Sequence, residues 1–261
     1  MEITFIGTGS GQTVTKRNHS SILIKSVNHN ILIDAGDGIS KALLNLGIGF
    51  DSIDSIVFTH HHADHFSGIA SLITQMKLVN RTKPLGIFTH KNLTPSVAAL
   101  LNSVYMFNEI LGFDLTINGF ETGEKISLNN YISFITKKNL HIFQKENLKQ
   151  YPPGIFVSSS FLFELEGKTI FYTSDIGSKD DLYLFEDQKI DYFITESTHT
   201  TLEDIYKALG KVDPEKLFIT HIDEKVEQAL EKWYSDLNEN KKEKVIICYD
   251  GYSFKTADDN T

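Results

Sequence analysis

The sequence predicts an α/β fold, an αββα sandwich in which two packed mixed β-sheets are flanked by helices. Three observations carry this expectation. Short runs of β-branched and aromatic residues alternate with amphipathic stretches in both halves of the chain. The order reads β-β-α-β-α in each half, which buries two sheets with helices outside them. No Pro-, Gly- or Ser-rich linker parts the halves, so residues 1–261 read as a single domain.

The elements follow in order. Glu2–Ile6, Ser20–Lys25 and Asn30–Asp34 are apolar runs separated by Gly, Asn and polar turns, hence a meander of strands. Gly38–Leu46 reads as a short helix, and Ser55–Thr59 as a buried strand. Phe66–Val79 places Ile69, Leu72, Ile73, Met76 and Val79 at helical spacing. Leu85–Thr89 is a strand and Pro95–Ile110 a second long helix. Phe113–Ile117, Lys125–Leu128 and Tyr131–Thr136 return to strand character. Phe161–Leu165 and Thr169–Thr173 flank Glu-Gly-Lys and predict a hairpin. Asp191–Thr195 and Leu217–Thr220 are strands, and Thr201–Leu209 and Glu224–Leu237 are helices. The second of these helices carries Val226, Leu230, Trp233 and Leu237 on one face. Val245–Tyr249 closes the sheet, and the tail Ala257–Thr261 is expected to fray.

The segment with the most chemistry is Thr59-His60-His61-His62-Ala63-Asp64-His65, placed where a strand ends and a loop begins. Imidazole nitrogen and carboxylate oxygen are donors suited to zinc, manganese or iron. His60 and His62 lie two apart on extended chain and point the same way, enough to begin one metal site. Asp64 and His65, after the turn, begin a second. A two-metal site needs further ligands. His141, Asp175 and His221 each follow a predicted strand and precede a loop. A carboxylate such as Asp175 can bridge two ions roughly 3.5–4 Å apart.

Bulk properties narrow the classes. With 41% hydrophobic and 23% charged residues the chain reads as an ordinary globular protein, and no apolar run is long enough to span a bilayer. A net charge of −9 argues against a broadly basic nucleic-acid surface. The N-terminal MEITFIGTGSG lacks the basic-then-apolar pattern of a signal peptide. The single Cys248 lies in an apolar run and reads as core. One cysteine makes no internal disulfide, in keeping with a cytoplasmic location.

The HxHxDH motif resembles that of the metallo-β-lactamase superfamily. Phe5-Ile-Gly-Thr-Gly-Ser-Gly, Arg17-Asn-His-Ser-Ser-Ile-Leu-Ile and Leu32-Ile-Asp-Ala-Gly-Asp-Gly are similar to its ribonuclease Z-like branch. That branch includes tRNA 3′-processing endonucleases and cyclic-nucleotide phosphodiesterases. The resemblance implies two divalent ions per chain, zinc first with manganese fitting the same donors. His60, His62 and His141 would hold one, Asp64, His65 and His221 the other, and Asp175 would bridge. Asp34 would steady the metal loop. Asp175 stands in TSDIG where antibiotic-degrading members carry Cys, so the chain does not look like a β-lactamase.

The branch also carries a His-Ser/Thr pair ahead of its last ligand. Here His199-Thr200 lies 22 residues before His221. The resemblance makes His199 the donor of a proton to the leaving oxygen, with Glu196 orienting it and Asp64 placing the attacking water. A structural alternative is that Thr198–Thr201 caps the following helix. Asp175 follows His141 by only 34 positions, too few for the long arm with which the tRNA-processing members grip RNA. Segment Ile142–Phe156 is then a lid or a reduced arm. The expected substrate is a small phosphodiester such as a cyclic nucleotide, with precursor tRNA second. A thiolester or lactone hydrolase, and a non-catalytic binding module, are the remaining alternatives. Homodimerisation is common in the branch and is expected here; no membrane partner is.

Overall fold

The structure, a computed structural model, describes residues 1–256; the tail Ala257–Thr261 lies outside the described residues. The chain divides into two compact units, Met1–Gly119 joined by the chain from Tyr249 onward, and Phe120–Cys248.

The first unit runs β1 (Glu2–Gly7), β2 (Ser21–Ser26), β3 (His29–Ile33), α1 (Ile39–Asn45), β4 (Ser55–Val57), α2 (Ala63–Phe66), α3 (Ile69–Leu78), β5 (Leu85–His90), α4 (Thr94–Ser103) and β6 (Leu115–Phe120). The second runs β7 (Lys125–Ser127), β8 (Ile132–Lys138), β9 (Ser159–Leu165), β10 (Lys168–Tyr172), β11 (Tyr192–Glu196), α5 (Leu202–Val212), β12 (Lys216–Thr220), α6 (Glu224–Asp236), α7 (Glu239–Lys242) and β13 (Val245–Ile247). A last strand, β14 (Ser253–Lys255), returns to the first unit.

Each unit is built on one seven-stranded sheet. The first has the order β14-β1-β2-β3-β4-β5-β6 and the second β13-β12-β11-β10-β9-β8-β7. Both are mixed. β3 and β4 pair parallel, as do β4 and β5, whereas β1, β2 and β3 form an antiparallel meander. In the second sheet β10, β11, β12 and β13 pair parallel in turn, and β7 to β10 are antiparallel. Strands buried on both faces read as continuous apolar runs, which is why Ile22–Ile24 and Ile31–Ile33 lack polar alternation.

Alternation still sorts the side chains by face. Leu23, Leu32, Ile56 and Phe58 join Ile39 and Leu43 of α1 and Ile69, Leu72, Ile73 and Met76 of α3 in one core. In the second unit Phe171, Phe193, Leu217 and Ile219 pack on Ile205 and Leu209 of α5 and Leu230 of α6. Each such side chain contributes about 1.5–3 kcal/mol on full burial.

Several boundaries differ from the sequence expectation. The predicted helix Phe66–Val79 is two helices, because the chain turns at Ser67-Gly68 where it presses on the α1 approach. A Cβ on Gly68 would lie 2.1 Å from the Gly36 carbonyl oxygen. The predicted helix Pro95–Ile110 ends at Ser103. Tyr105, left-handed at φ 62°, sits in a Schellman-type stop with Met106 N–H donating to Leu101 O at 2.9 Å. The strand expected at Phe113–Ile117 is Leu115–Phe120. Val245–Tyr249 shortens to β13 at the edge of the second sheet, and β14, which the sequence reading lacks, edges the first against β1. The ββαβα order therefore holds in neither unit: the first opens with three strands and the second with five before its first α-helix. The β9–β10 hairpin is present, with Glu166 (φ 50°) and Gly167 (φ 78°) both left-handed as its two-residue turn requires.

Candidate metal centre

In the first unit the motif grows out of β4. Thr59 closes the strand by donating its N–H to Asp34 Oδ1 at 2.9 Å and its hydroxyl to Asp34 Oδ2 at 2.9 Å. Asp34 is fully buried just past β3, in a left-handed conformation at φ 60°. Its Oδ2 lies 2.7 Å from His65 Nδ1. The network assigns the proton to Nδ1, so His65 turns Nε2 away from Asp34. This is the carboxylate–imidazole arrangement that orients a metal-binding histidine. Burial pushes the Asp34 carboxyl above the usual carboxylate range, while the His65 charge and the His65 and Thr59 hydrogen bonds pull it back.

His60 is buried and His62 exposed. His60 Nε2 and His62 Nδ1 approach to 3.1 Å, and His65 Nε2 stands 3.6 Å from Asp64 Oδ2. Two donors about 2.0–2.1 Å from a tetrahedral zinc are separated by roughly 3.3 Å, so both spacings suit ligands sharing an ion. His61 turns the other way. It stacks on Phe66 with centroids 3.9 Å apart, meets Thr89 Oγ1 at 3.1 Å, and is pushed down to about 4 by burial. Glycines make the room. A Cβ at Gly36 would fall 2.2 Å from the Asp64 carbonyl oxygen, and one at Gly11 would lie 3.4 Å from Asp64 Oδ2.

The second unit presents its own cluster. Asp175, Glu196 and His221 stand at the C-terminal ends of three adjacent parallel strands, β10, β11 and β12, the edge where α/β sheets place ligands. His141 follows β8, which runs in the same direction as β10 because each pairs antiparallel with β9. Asp175 Oδ2 lies 3.3 Å from His221 Nε2 and 3.5 Å from His141 Nε2. These too match the edge of a coordination tetrahedron. Ser174 (φ 55°) and His221 (φ 48°) are left-handed, conformations costing about 1–3 kcal/mol each that persist where the surroundings enforce them.

His199 completes the cluster. Its Nδ1 meets Glu196 Oε1 at 2.8 Å, and its ring lies 4.8 Å from that of His141 and 5.7 Å from that of His221. Glu196 is buried, and its oxygens also accept from the N–H groups of Ile176, Thr198 and His199 at 3.1, 2.6 and 2.7 Å. With both oxygens so engaged, Glu196 serves as an acceptor for His199 and the loop rather than as a ligand. Thr201 is the residue that caps α5, accepting from Asp204 N–H at 3.1 Å, so the capping reading and an oriented His199 hold together.

The structure therefore brings His60 close to His62, His65 to both Asp64 and Asp34, and His141, Asp175, Glu196, His199 and His221 to one another within their units. Segment Ile142–Phe156 follows His141 as two 3-10 turns, Glu146–Leu148 and Pro153–Ile155. Sequence reasoning missed Asn139 and Asp181, buried residues that organise the loops of the second cluster. Asp181 had a signal in Ser178-Lys-Asp-Asp181, a capping box that the structure forms.

The family described as "Anti-Pycsar protein Apyc1" matches residues 1–239. An anti-Pycsar protein Apyc1 of Bacillus phage BSP38 is 25% identical over 250 residues, 88% of this chain and 92% of that protein. A ribonuclease Z of Aeropyrum pernix is 35% identical over 118 residues; the match spans 45% of this chain and only 37% of that protein. Human tRNase Z, short form, shares the fold at a TM-score of 0.72 and 16% identity, over 98% of this chain and 99% of that one.

Proposed function

We infer that this chain, which belongs to the anti-Pycsar protein Apyc1 family in the ribonuclease Z-like branch of the metallo-β-lactamase superfamily, is a metal-dependent hydrolase that opens a small cyclic nucleotide. The observation that carries the reading is the Glu196–His199 pair standing beside the His141, Asp175 and His221 cluster. A proton donor next to hard N and O donors is what cleavage of a phosphodiester with a poor leaving group requires.

The donor set fits divalent ions: imidazoles and carboxylates only, at separations of 3.1–3.6 Å within each cluster. The proposed assignment is His60, His62 and His141 for one ion and Asp64, His65 and His221 for the other, with Asp175 shared. Bound there, two ions would supply Lewis-acid charge for the phosphoryl oxygens and water acidified toward neutrality.

The chain's own residues do the rest. Asp64 orients the attacking water. The water releases one proton to solvent as its oxygen bonds to phosphorus, one ring P–O bond breaks, and the departing oxygen takes the proton of His199 Nε2. Glu196 accepts the Nδ1–H of the same ring, fixing its orientation and leaving Nε2 as the atom that gives up a proton. The backbone N–H groups of Thr198 and His199 hold Glu196 in place.

The preference for a small substrate rests on the interval after His141. It holds two short 3-10 turns and the β9–β10 hairpin, with no projecting helical arm among the described residues. Its Lys149 is paired with Glu146. The net charge of −9 points the same way. Zinc is the proposed metal, the cytoplasm the proposed location and a homodimer the proposed assembly.

The test is hydrolysis of a panel of 3′,5′-cyclic nucleotides beside a 3′-extended precursor tRNA by metal-loaded protein. Cyclic nucleotides should be opened and the tRNA spared, and His199→Ala should lose about 10²–10⁴-fold in kcat with its metal retained. Cleavage of the tRNA alone would overturn the reading.

A further inference from the structure

Asn139 is fully buried between the loop that carries His141 and the loop that carries Asp175. Its Oδ1 accepts the His141 N–H at 3.2 Å and the Ser158 hydroxyl. Its Nδ2 donates to the Asp175 carbonyl at 3.0 Å, to the Thr173 carbonyl at 3.2 Å and to Ser160 Oγ at 3.1 Å. One amide thus grips the backbone N–H of His141 with its oxygen and the backbone carbonyl of Asp175 with its nitrogen.

The surrounding hydrogen bonds show how fully this loop is specified. Asn139 N–H donates to Ser158 O, Leu140 N–H to Asp181 Oδ2, and Ile142 N–H to Ser158 Oγ, at 3.2, 3.1 and 3.2 Å. With the His141 N–H on Asn139, four successive backbone donors have partners. Asp181 Oδ2 also takes the Gly177 and Ser178 N–H groups at 2.9 and 3.1 Å. The two loops run so close that a Cβ on Gly177 would fall 2.1 Å from the Leu140 carbonyl oxygen.

The geometry points to Asn139 as a positioning residue that sets the His141–Asp175 spacing for a divalent ion without touching the ion. The inference rests on the metal reading above. Only a carboxamide meets the demand at this position. An aspartate would set oxygen against the Thr173 and Asp175 carbonyls, and an alanine would leave the His141 N–H and the Asp175 carbonyl without this partner. Ser160 is the internal control, since it touches Asn139 but neither the His141 N–H nor the Asp175 carbonyl.

The experiment is a chelator-competition titration with zinc ion on the full chain, paired with thermal unfolding of the metal-free protein. Wild type, Asn139→Ala, Asn139→Asp and Ser160→Ala are compared. Both Asn139 variants should lose about 10–100-fold in zinc affinity, the usual effect of removing an outer support, and recover full occupancy at high zinc. Ser160→Ala should stay near wild type. Asn139→Asp, nearly the same shape, keeps the comparison open if the alanine variant does not fold. Wild-type affinity in the Asn139 variants overturns the inference alone. So does an equal loss in Ser160→Ala, which would mark general packing. A wild type that takes up no zinc overturns the metal reading and this inference with it.

Discussion

Asp34 shows how a single buried carboxylate can organise the HxHxDH segment. It accepts from Thr59 through both main chain and side chain, and it holds His65 by Nδ1 at 2.7 Å. Asp34→Asn would place an amide nitrogen or a neutral oxygen against these donors, loosening the His65 tautomer and ring. The expected outcome is a loss of about 10–100-fold in metal affinity with the fold intact, read by chelator competition; an unchanged affinity would show that Asp34 serves the fold alone. His60, His62, Asp64 and His65 were legible in the sequence because their donors are packed into six positions. Asn139 was not, because an asparagine near a strand end reads as a turn residue until its five partners are seen.

Secondary-structure elements were legible where periodicity is long and hidden where tertiary contact decides. Glu224–Asp236 was readable from its apolar stripe. The break between α2 and α3 was not, because it depends on Gly36 lying against Gly68, a contact 32 positions apart in sequence. Nor was β14, three residues whose pairing to β1 spans nearly the whole chain. Parallel strands need anchors at their entries, and β10 and β11 share one. Asp191 is buried and accepts from the Thr169 N–H at 2.8 Å, the Thr169 hydroxyl at 3.0 Å and Lys189 Nζ at 2.7 Å. Burial alone would raise its pKa, but these hydrogen bonds and the Lys189 charge hold it below the ordinary carboxylate range. A depressed folded pKa contributes stability that is present above the unfolded value, about 3.9, and is lost as pH falls through the folded one. Asp191→Asn should therefore cost about 1–2 kcal/mol at pH 7 by denaturant unfolding, with the deficit shrinking as pH falls below the unfolded value and through the folded one. A deficit independent of pH would assign Asp191 a purely steric role.

The whole chain was legible as a family before it was legible as geometry. The fold of two mixed sheets is shared, at a TM-score of 0.72, by human tRNase Z, short form, at only 16% sequence identity. The features of this chain that bear on its substrate are local or simple: the short interval between His141 and Asp175, the aspartate at 175, and a charge of −9. No described helix is long and apolar enough to cross a membrane. The most direct measurement is cyclic-nucleotide turnover as zinc or manganese is added back to chelated protein. The account predicts no turnover in the chelated state and saturation at about two equivalents per chain. Full turnover by metal-free protein, or saturation with no nucleotide opened, would contradict it.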